Sequence, residues 1–400
     1  MSALKRGLKV FIIVIIALIV IVAIYVLYVV LSYSRIPDNS DLKVSIHLPA
    51  KQNTVVDYEN DLTIMTMGTE YTAVTSNVGF GAYNHDFSFF MDEGFMKDGK
   101  KTVGTMSRAE SLQVVKDNTR YCMDAVTGED PDIVLFQEVD VSAHRSRGYN
   151  QRKAMTQSFS EYLVSGGTTK HPFIFQYTYA TNFHSAYLFY PITKPIGQIR
   201  DSGLLTMSKY KIDSSVRRSF PIDESFPTKF FDLDRCFSVN RMPINDDKDN
   251  NTGKELVLIN THMSAYDKGG TVRKAQMEFI AEVMEDEYKK GNWVITGGDF
   301  NHAIGGSETM FMNEMLTPPW VQPFANDKLP SGFRIVVAEN NSKVATVRDS
   351  SIPFEKGVNY ETVLDGFIVS DNIDATAFNI DANYRGSDHN PARLKFTLKG

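Results

Sequence analysis

From Val10 to Leu31 the chain carries no charged residue, and that run decides how the rest of the protein is presented to its surroundings. Wound as a helix, about 22 residues at about 1.5 Å each cross a hydrocarbon core of about 30 Å. The alternative is a cleaved signal peptide, whose apolar region is about 7 to 15 residues long and ends at a small-residue site. Length favours an uncleaved anchor. Lys5, Arg6 and Lys9 precede the run, whereas Arg35 is soon followed by Asp38 and Asp41. The positive-inside asymmetry therefore puts residues 1–9 in the cytoplasm, residues 10–31 across the membrane and the remainder outside. The expectation is a single-pass protein of the cell membrane.

Residues 32–69 read as a stalk. Pro37, Asp38, Asn39, Ser40, Pro49 and Asn53 break regular structure, and one short alternating run, Leu42 to Ile46, suits a strand packed on the domain beyond it. Residues 70–400 make one globular domain, since 42% hydrophobic content supports a large core and no repeat or low-complexity tract interrupts it. The net charge is -6, and without the basic tip it is about -9, so no global basic field draws the domain to nucleic acid. Local Lys and Arg contacts could still do so. Cys122 and Cys236 are too few for a disulfide framework and read as buried free thiols, with a single bridge as the alternative outside the cell.

Strands and helices alternate along this domain. Tyr71 to Val78 is a strand, Ser107-Arg108-Ala109-Glu110 forms a capping box for a helix ending near Gly128, and Asp132 to Phe136 is a buried strand ending at Gln137-Glu138. Glu255 to Asn260 is a strand followed by His262 and a Gly269-Gly270 break. A helix then runs from about Val272 to Lys290, with Ala275, Phe279, Ile280 and Val283 facing the core. Trp293 to Thr296 delivers Asp299 to a strand end, and strands at 362–369, 375–380 and 393–398 close the domain. Many strands with few helices predict an α/β fold of two packed mixed sheets with helices outside.

Five short segments carry the chemistry. Glu138 directly follows an apolar strand, so its carboxylate sits at the sheet edge, where one or two such groups suffice to hold Mg²⁺ together with water. Asn77 also closes a strand and can bind the ion's water or the ligating carboxylate. In Gly298-Asp299-Phe300-Asn301, Asp299 can hold an attacking water while Asn301 donates to a phosphoryl oxygen. His262 and His389 flank strands near Asp299, Asp365 and Asp388, and a carboxylate fixes the tautomer and raises the basicity of a histidine partner. No sequence neighbour offers His262 such a partner.

Taken in order, Asn77, Gln137-Glu138, Thr261-His262, Gly298-Asp299-Phe300-Asn301, Leu364-Asp365 and Ser387-Asp388-His389-Asn390-Pro391 resemble the endonuclease/exonuclease/phosphatase superfamily. That superfamily includes pancreatic-type deoxyribonucleases, abasic-site endonucleases, neutral sphingomyelinases and inositol-polyphosphate phosphatases. The resemblance covers roughly Tyr71 to Lys399 and implies a four-layered α/β sandwich that hydrolyses phosphoesters with Mg²⁺, for which Mn²⁺ can substitute. By the same resemblance Glu138 is the principal metal ligand, Asn77 its neighbour and Asp388 the carboxylate on the other side of the metal. His389 is general base or transition-state stabiliser, Asp365 orients it, Asp299 positions the nucleophilic water, and Asn301 and His262 contact the scissile phosphate.

Substrate choice rests on less. Phe87, Phe89, Phe90 and Phe95 crowd the segment after Asn77 and suit either a lipid- or base-contacting lip or plain packing. Arg145 and Arg147 in the loop after Glu138 can grip a second phosphate, and Arg235, Arg241 and Arg273 stand near the expected catalytic strands. The anchor favours an extracellular phosphodiesterase acting on lipid head groups. A surface nuclease acting on DNA or RNA is the second reading, and an inactive binding module of the same fold is the third. No segment marks an obligate protein partner.

Overall fold

The computed structural model describes residues 2–47, 62–165, 174–223, 225, 229, 233–265, 271–324 and 328–400, with side chains from residue 5 onward. Helix α1 (Ser2–Ser32) opens the chain and leaves its most apolar stretch wholly exposed. Next come β1 (Ser40–Asp41), β2 (Ser45–His47), β3 (Met65–Thr66), β4 (Glu70–Asn77), β5 (Glu93–Phe95), β6 (Lys101–Val103) and α2 (Leu112–Thr127). The middle of the chain supplies β7 (Ile133–Ala143), α3 (Gln151–Ser165), β8 (Phe175–Leu188), β9 (Gly197–Ser208), β10 (Ser214–Ser219), β11 (Cys236–Asn245) and β12 (Asn251–His262). Last are α4 (Thr271–Lys289), β13 (Trp293–Asp299), β14 (Phe333–Ile335), β15 (Val347–Arg348), β16 (Glu361–Thr362), β17 (Asp365–Ser370), β18 (Ile373–Asn379) and β19 (Ala392–Leu398).

Two mixed sheets form the body. The first runs β1-β10-β11-β12-β13-β17-β14 with β3 beside β11, and the second runs β18-β19-β4-β7-β9-β8-β2. Strand periodicity explains how they stack, because successive side chains face opposite ways. Leu256, Leu258, Trp293 and Ile295 from the first sheet meet Ala73, Ile133, Leu135 and Leu394 from the second. The intervening Val257, Ile259 and Val294 face Met277, Ile280 and Met284 of α4. On the far side Val74, Val134 and Phe136 face Met123 and Val126 of α2 and Met155 and Phe159 of α3. The result is four layers, helices outside and sheets within. Central strands buried on both faces read as continuous apolar runs, as in Ile133 to Phe136.

Between the sheets a polar contact interrupts the apolar core. Gln137 Nε2 donates to Asn260 Oδ1 at 2.9 Å, and Asn260 Nδ2 donates to the carbonyls of Phe136 at 3.3 Å and Leu205 at 3.2 Å. All of these side chains are fully buried. An amide so placed fits only one offset of the two sheets, because any slip strands buried donors without acceptors.

Several sequence expectations change. Helix α2 starts at Leu112, capped by Ser111, whose side chain accepts the Val114 N–H at 3.2 Å. Ser107, expected in that role, is buried and donates to the Lys194 carbonyl at 2.5 Å. Of the run from Leu42 to Ile46 only Ser45 and Ile46 lie in a strand, β2, which pairs with β8, while Leu42 to Val44 link it to β1, which pairs with β10 in the other sheet. The described part of residues 32–69 thus supplies three short strands, and Arg35 bonds Asp234 at 3.1 Å. Pro49, Asn53 and the Gly269-Gly270 break lie outside the described residues. Cys122 and Cys236 are free and buried. Replacing Asn260 by Ala removes the inter-sheet amide and leaves buried groups unpaired, and is expected to cost about 2–4 kcal/mol. Urea unfolding of the full chain in detergent micelles measures this, and an unchanged midpoint would mean that apolar contact alone sets the docking.

Candidate active site

Strand register builds one half of the site. Pairing of β12 with β13 sets His262 beside Asp299, and pairing of β13 with β17 sets Asp299 beside Asp365, so the first sheet carries the three in a row at its edge. Gly298 must be glycine, because a Cβ there would lie 1.9 Å from the Thr261 carbonyl oxygen. The second sheet supplies Asn77 at the end of β4 and Glu138 in β7. Between Phe136 and Val139 the register against β9 shifts, and Glu138 has a φ of 56°. That bulge takes Glu138 out of the ladder and re-aims its carboxylate, at a backbone cost of about 1–3 kcal/mol. The loop before β19 adds Asp388 and His389. It is held by Ser387, whose hydroxyl donates to the Asn77 carbonyl at 2.8 Å and accepts the His389 N–H at 3.2 Å.

These groups converge. His389 Nδ1 lies 2.8 Å from Asp365 Oδ2, and its Nε2 lies 3.8 Å from Asp299 Oδ2. His262 Nε2 is 3.4 Å from the same Asp299 oxygen and 4.0 Å from Glu138 Oε1. Asn77 Nδ2 donates to Asp299 Oδ2 at 3.1 Å and to Glu138 Oε1 at 3.4 Å, tying the sheets together inside the site. His262 therefore has a carboxylate neighbour after all. It comes from the adjoining strand, 37 residues away and invisible to local sequence reading.

Burial and neighbouring charge set the proton positions. Burial opposes charge on His389, but the Asp365, Asp299 and Asp388 carboxylates outweigh it and hold the imidazole well above its ordinary pKa. Burial drives His262 well below its ordinary value, helped by the positive charges of Arg235, His389 and Arg145. Burial also pushes Asp299 up to about 7, against the opposing pull of His389. Asp388 is raised to about 6, first by burial, with Glu138 adding its charge while His389 and Arg348 pull the other way.

A cavity of about 850 Å³ opens over the cluster and exposes Asn77, Glu138, His262, Asp299, Asn301, Asp388 and His389 to a ligand. Asp365 stands behind His389. Asn301 is fixed by its Nδ2 bond to the Met263 carbonyl at 2.9 Å. Phe80, Phe89, Phe90, Phe183, Leu188, Ile196 and Leu233 form an apolar wall. Of the four phenylalanines singled out in sequence, Phe89 and Phe90 belong to that wall, Phe87 is fully buried beneath it, and Phe95 is exposed on β5.

The arginines divide sharply. Arg145 lines the cavity, paired with Asp140 at 2.9 Å and lying 4.1 Å over the Phe80 ring. Arg235 lines it too, and its buried Nε and Nη1 have no partner among the described residues. Arg147 does not reach the cavity, since its guanidinium binds the carbonyls of Ala109 and Glu110 at 2.8 and 2.7 Å. Arg273 donates to the Asn301 carbonyl at 2.7 Å and so braces the site from below, and Arg241 is held by Glu255 and Glu287. Arg348 was missed. It lines the cavity, and its backbone N–H donates to the Asp388 carbonyl at 3.0 Å. Nothing in Ala345-Thr346-Val347-Arg348 marks it, because only the fold brings β15 against the His389 loop.

Residues 75–389 match the model of the Endonuclease/Exonuclease/phosphatase family. The chain belongs to this family. Among solved structures, an endonuclease/exonuclease/phosphatase from Beutenbergia cavernae superposes with a TM-score of 0.51 at 16% identity, over 83% of this chain and 72% of that one. Truncated TDP2 of Caenorhabditis elegans gives 0.47 at 14% identity, over 83% and 99% of the two chains. ANGEL2, described as a 2′,3′-cyclic phosphatase, gives 0.48 at 12%, over 83% and 96%. At such identities the likeness is one of fold. No curated protein matches the chain.

Enzymes of this family use divalent metals, and the residues here suit one. Asp299, Asp365 and His389 bring ligand atoms within 4.8 Å of one another. Asp365 and His389 are already hydrogen-bonded to each other. Glu138 and Asp388 are the freer oxygens, two carboxylates lining one cavity near enough for Glu138 to raise its neighbour's pKa, and hard cations prefer such ligands. In Asp365→Asn the imidazole of His389 loses its main anionic partner. Its titration, followed by NMR, is expected to move down toward the ordinary histidine range, and a pKa left in place would mean that Asp299 and Asp388 alone sustain it.

Proposed function

We propose that this protein is a membrane-anchored, outward-facing, divalent-metal-dependent phosphodiesterase that hydrolyses lipid head-group phosphodiesters. The observation that carries the reading is the double character of the cavity, with the acid–histidine cluster as its floor and Phe89, Phe90, Leu188 and Ile196 as its wall. A head group placed on the floor leaves the apolar part of a lipid against the wall. A single-pass anchor at α1, with residues 1–9 cytoplasmic, keeps such a substrate within reach.

Each residue then has a task. The Asp299 carboxylate, with a pKa near neutrality, accepts a proton from the attacking water, which His262 helps to align. The water oxygen bonds to phosphorus, the bond from phosphorus to the leaving oxygen breaks on the opposite side, and the departing alkoxide takes a proton from solvent water to become the alcohol. His389, kept cationic by Asp365, faces the charge that builds on the phosphoryl oxygens, and Asn301 fixes their orientation. Glu138 and Asp388, with Asn77 beside them, would hold the divalent ion. Such an ion supplies Lewis acidity at the phosphoryl and leaving oxygens. Arg235, with two nitrogens unpartnered among the described residues, is the group suited to a further anionic oxygen of the head group.

The second reading is a surface nuclease, favoured by the arginines around the cavity. Against it, Arg145 is neutralised by Asp140, and the cavity is walled by aromatic and aliphatic side chains. Assay of the full chain in micelles against phospholipids, sphingomyelin, plasmid DNA and RNA separates the two. Phospholipid or sphingomyelin turnover is expected, and turnover of nucleic acid alone would overturn the lipid reading. Chelation is expected to abolish activity, with Mg²⁺ or Mn²⁺ restoring it. Glu138→Gln and His389→Ala are each expected to lower kcat by about a hundredfold or more, and full activity in either variant would refute the mechanism.

A further inference from the structure

The hairpin between β8 and β9 exposes apolar side chains that the domain's own packing does not explain. Phe189 is 59% exposed, Tyr190 61% and Ile192 88%, at the tip of a loop with Lys194 beside them. This tip leans on the outer end of α1. Tyr25 Oη donates to the Tyr187 carbonyl at 3.2 Å and accepts the Phe189 N–H at 3.3 Å, while Tyr28 Oη accepts the Tyr187 N–H at 3.3 Å. The Tyr25 and Phe189 rings stand 5.3 Å apart, edge to face.

The height of that contact matters. Tyr25 precedes the helix end at Ser32 by seven residues, which at about 1.5 Å per residue puts it about 10 Å below that end. A loop bonded to Tyr25 therefore descends alongside the last two turns of an apolar helix. Tyr and Phe rings at that level form the aromatic belt typical of a membrane–water interface, and a nearby Lys keeps its ammonium at the head groups. The same hairpin also lines the cavity through Leu188, Tyr190 and Ile196.

We infer that the tip of the β8–β9 hairpin is a bilayer-docking element, which sinks Phe189 and Ile192 into the interface and sets the mouth of the cavity on the lipid surface. The inference rests on the reading of α1 as a membrane span. It goes further by fixing the domain's orientation, since a tether alone would leave the cavity free to point anywhere. The occupant is the lipid surface itself, because the apolar tip and the apolar helix meet at one level and are exposed together.

The test places an environment-sensitive NBD label on the full chain in phosphatidylcholine vesicles containing doxyl-labelled lipid. Labels go singly on Ile192→Cys, on Ile16→Cys within the helix and on Asp247→Cys. The last lies in the exposed turn between β11 and β12, at the opposite end of β12 from His262. Both native thiols are buried, so the introduced cysteine takes the label. Several-fold quenching is expected at positions 192 and 16, with none at 247. Quenching at 16 but not at 192 would overturn the docking inference and leave the anchor standing. Quenching at neither would overturn both. Absence of lipid turnover by the parent chain would count against a lipid substrate and not against docking, which the quenching alone decides.

Discussion

The candidate site depends on how two sheets are fixed face to face. His262, Asp299 and Asp365 come from one sheet, Asn77 and Glu138 from the other, and Asp388 and His389 from the loop entering β19. Hydrophobic burial drives the sheets together but is indifferent to small slips. The buried Gln137–Asn260 amide contact and the Asn77–Asp299 bond are not, because each needs a donor opposite an acceptor within a few tenths of an ångström. These polar contacts lie under and within the site, and they convert a greasy interface into a defined geometry.

That geometry sustains charges that would not survive burial singly. Three carboxylates hold the His389 imidazole well above its ordinary pKa, and burial pushes Asp299 up to about 7 while the facing His389 pulls it back toward the charged form. His262 is the counterpart, a buried imidazole kept neutral by burial and nearby positive charge. One cluster thus contains a cationic histidine, a neutral histidine and a carboxylate poised to change protonation. Such a spread of proton affinities among neighbours is what acid–base work on a phosphate requires.

Sequence reading reached most of the cluster because strand ends announce themselves. Asn77, Glu138, His262 and Asp299 each close or follow a strand that the sequence shows, and a polar residue there lies at the end of a sheet. What it missed was set by register and tertiary contact. The Asp299 neighbour of His262 lies across a strand pair, Arg348 arrives with β15, and the absence of a partner for two Arg235 nitrogens among the described residues reflects what surrounds them in space. Arg147 looked equivalent to Arg145 from two positions away, yet one ties down a loop and the other enters the cavity. Helix α2 starts four residues later than the capping box suggests, because Ser107 is engaged by the Lys194 carbonyl and Ser111, with no Glu or Gln three residues on to mark it, takes the cap.

The apolar helix, the hairpin against it and the cavity beyond the hairpin connect chemistry to location. A phosphodiester-cleaving floor under an apolar wall, held at a lipid surface, is the account these features support together. Its core claim is that water attacks phosphorus within the cluster. The most direct measurement is hydrolysis of a phosphodiester by the full chain in heavy-oxygen water, with mass spectrometry of both products. The account predicts one heavy oxygen in the phosphate monoester and none in the alcohol. Label in the alcohol, or an intact diester at saturating divalent metal, would contradict it.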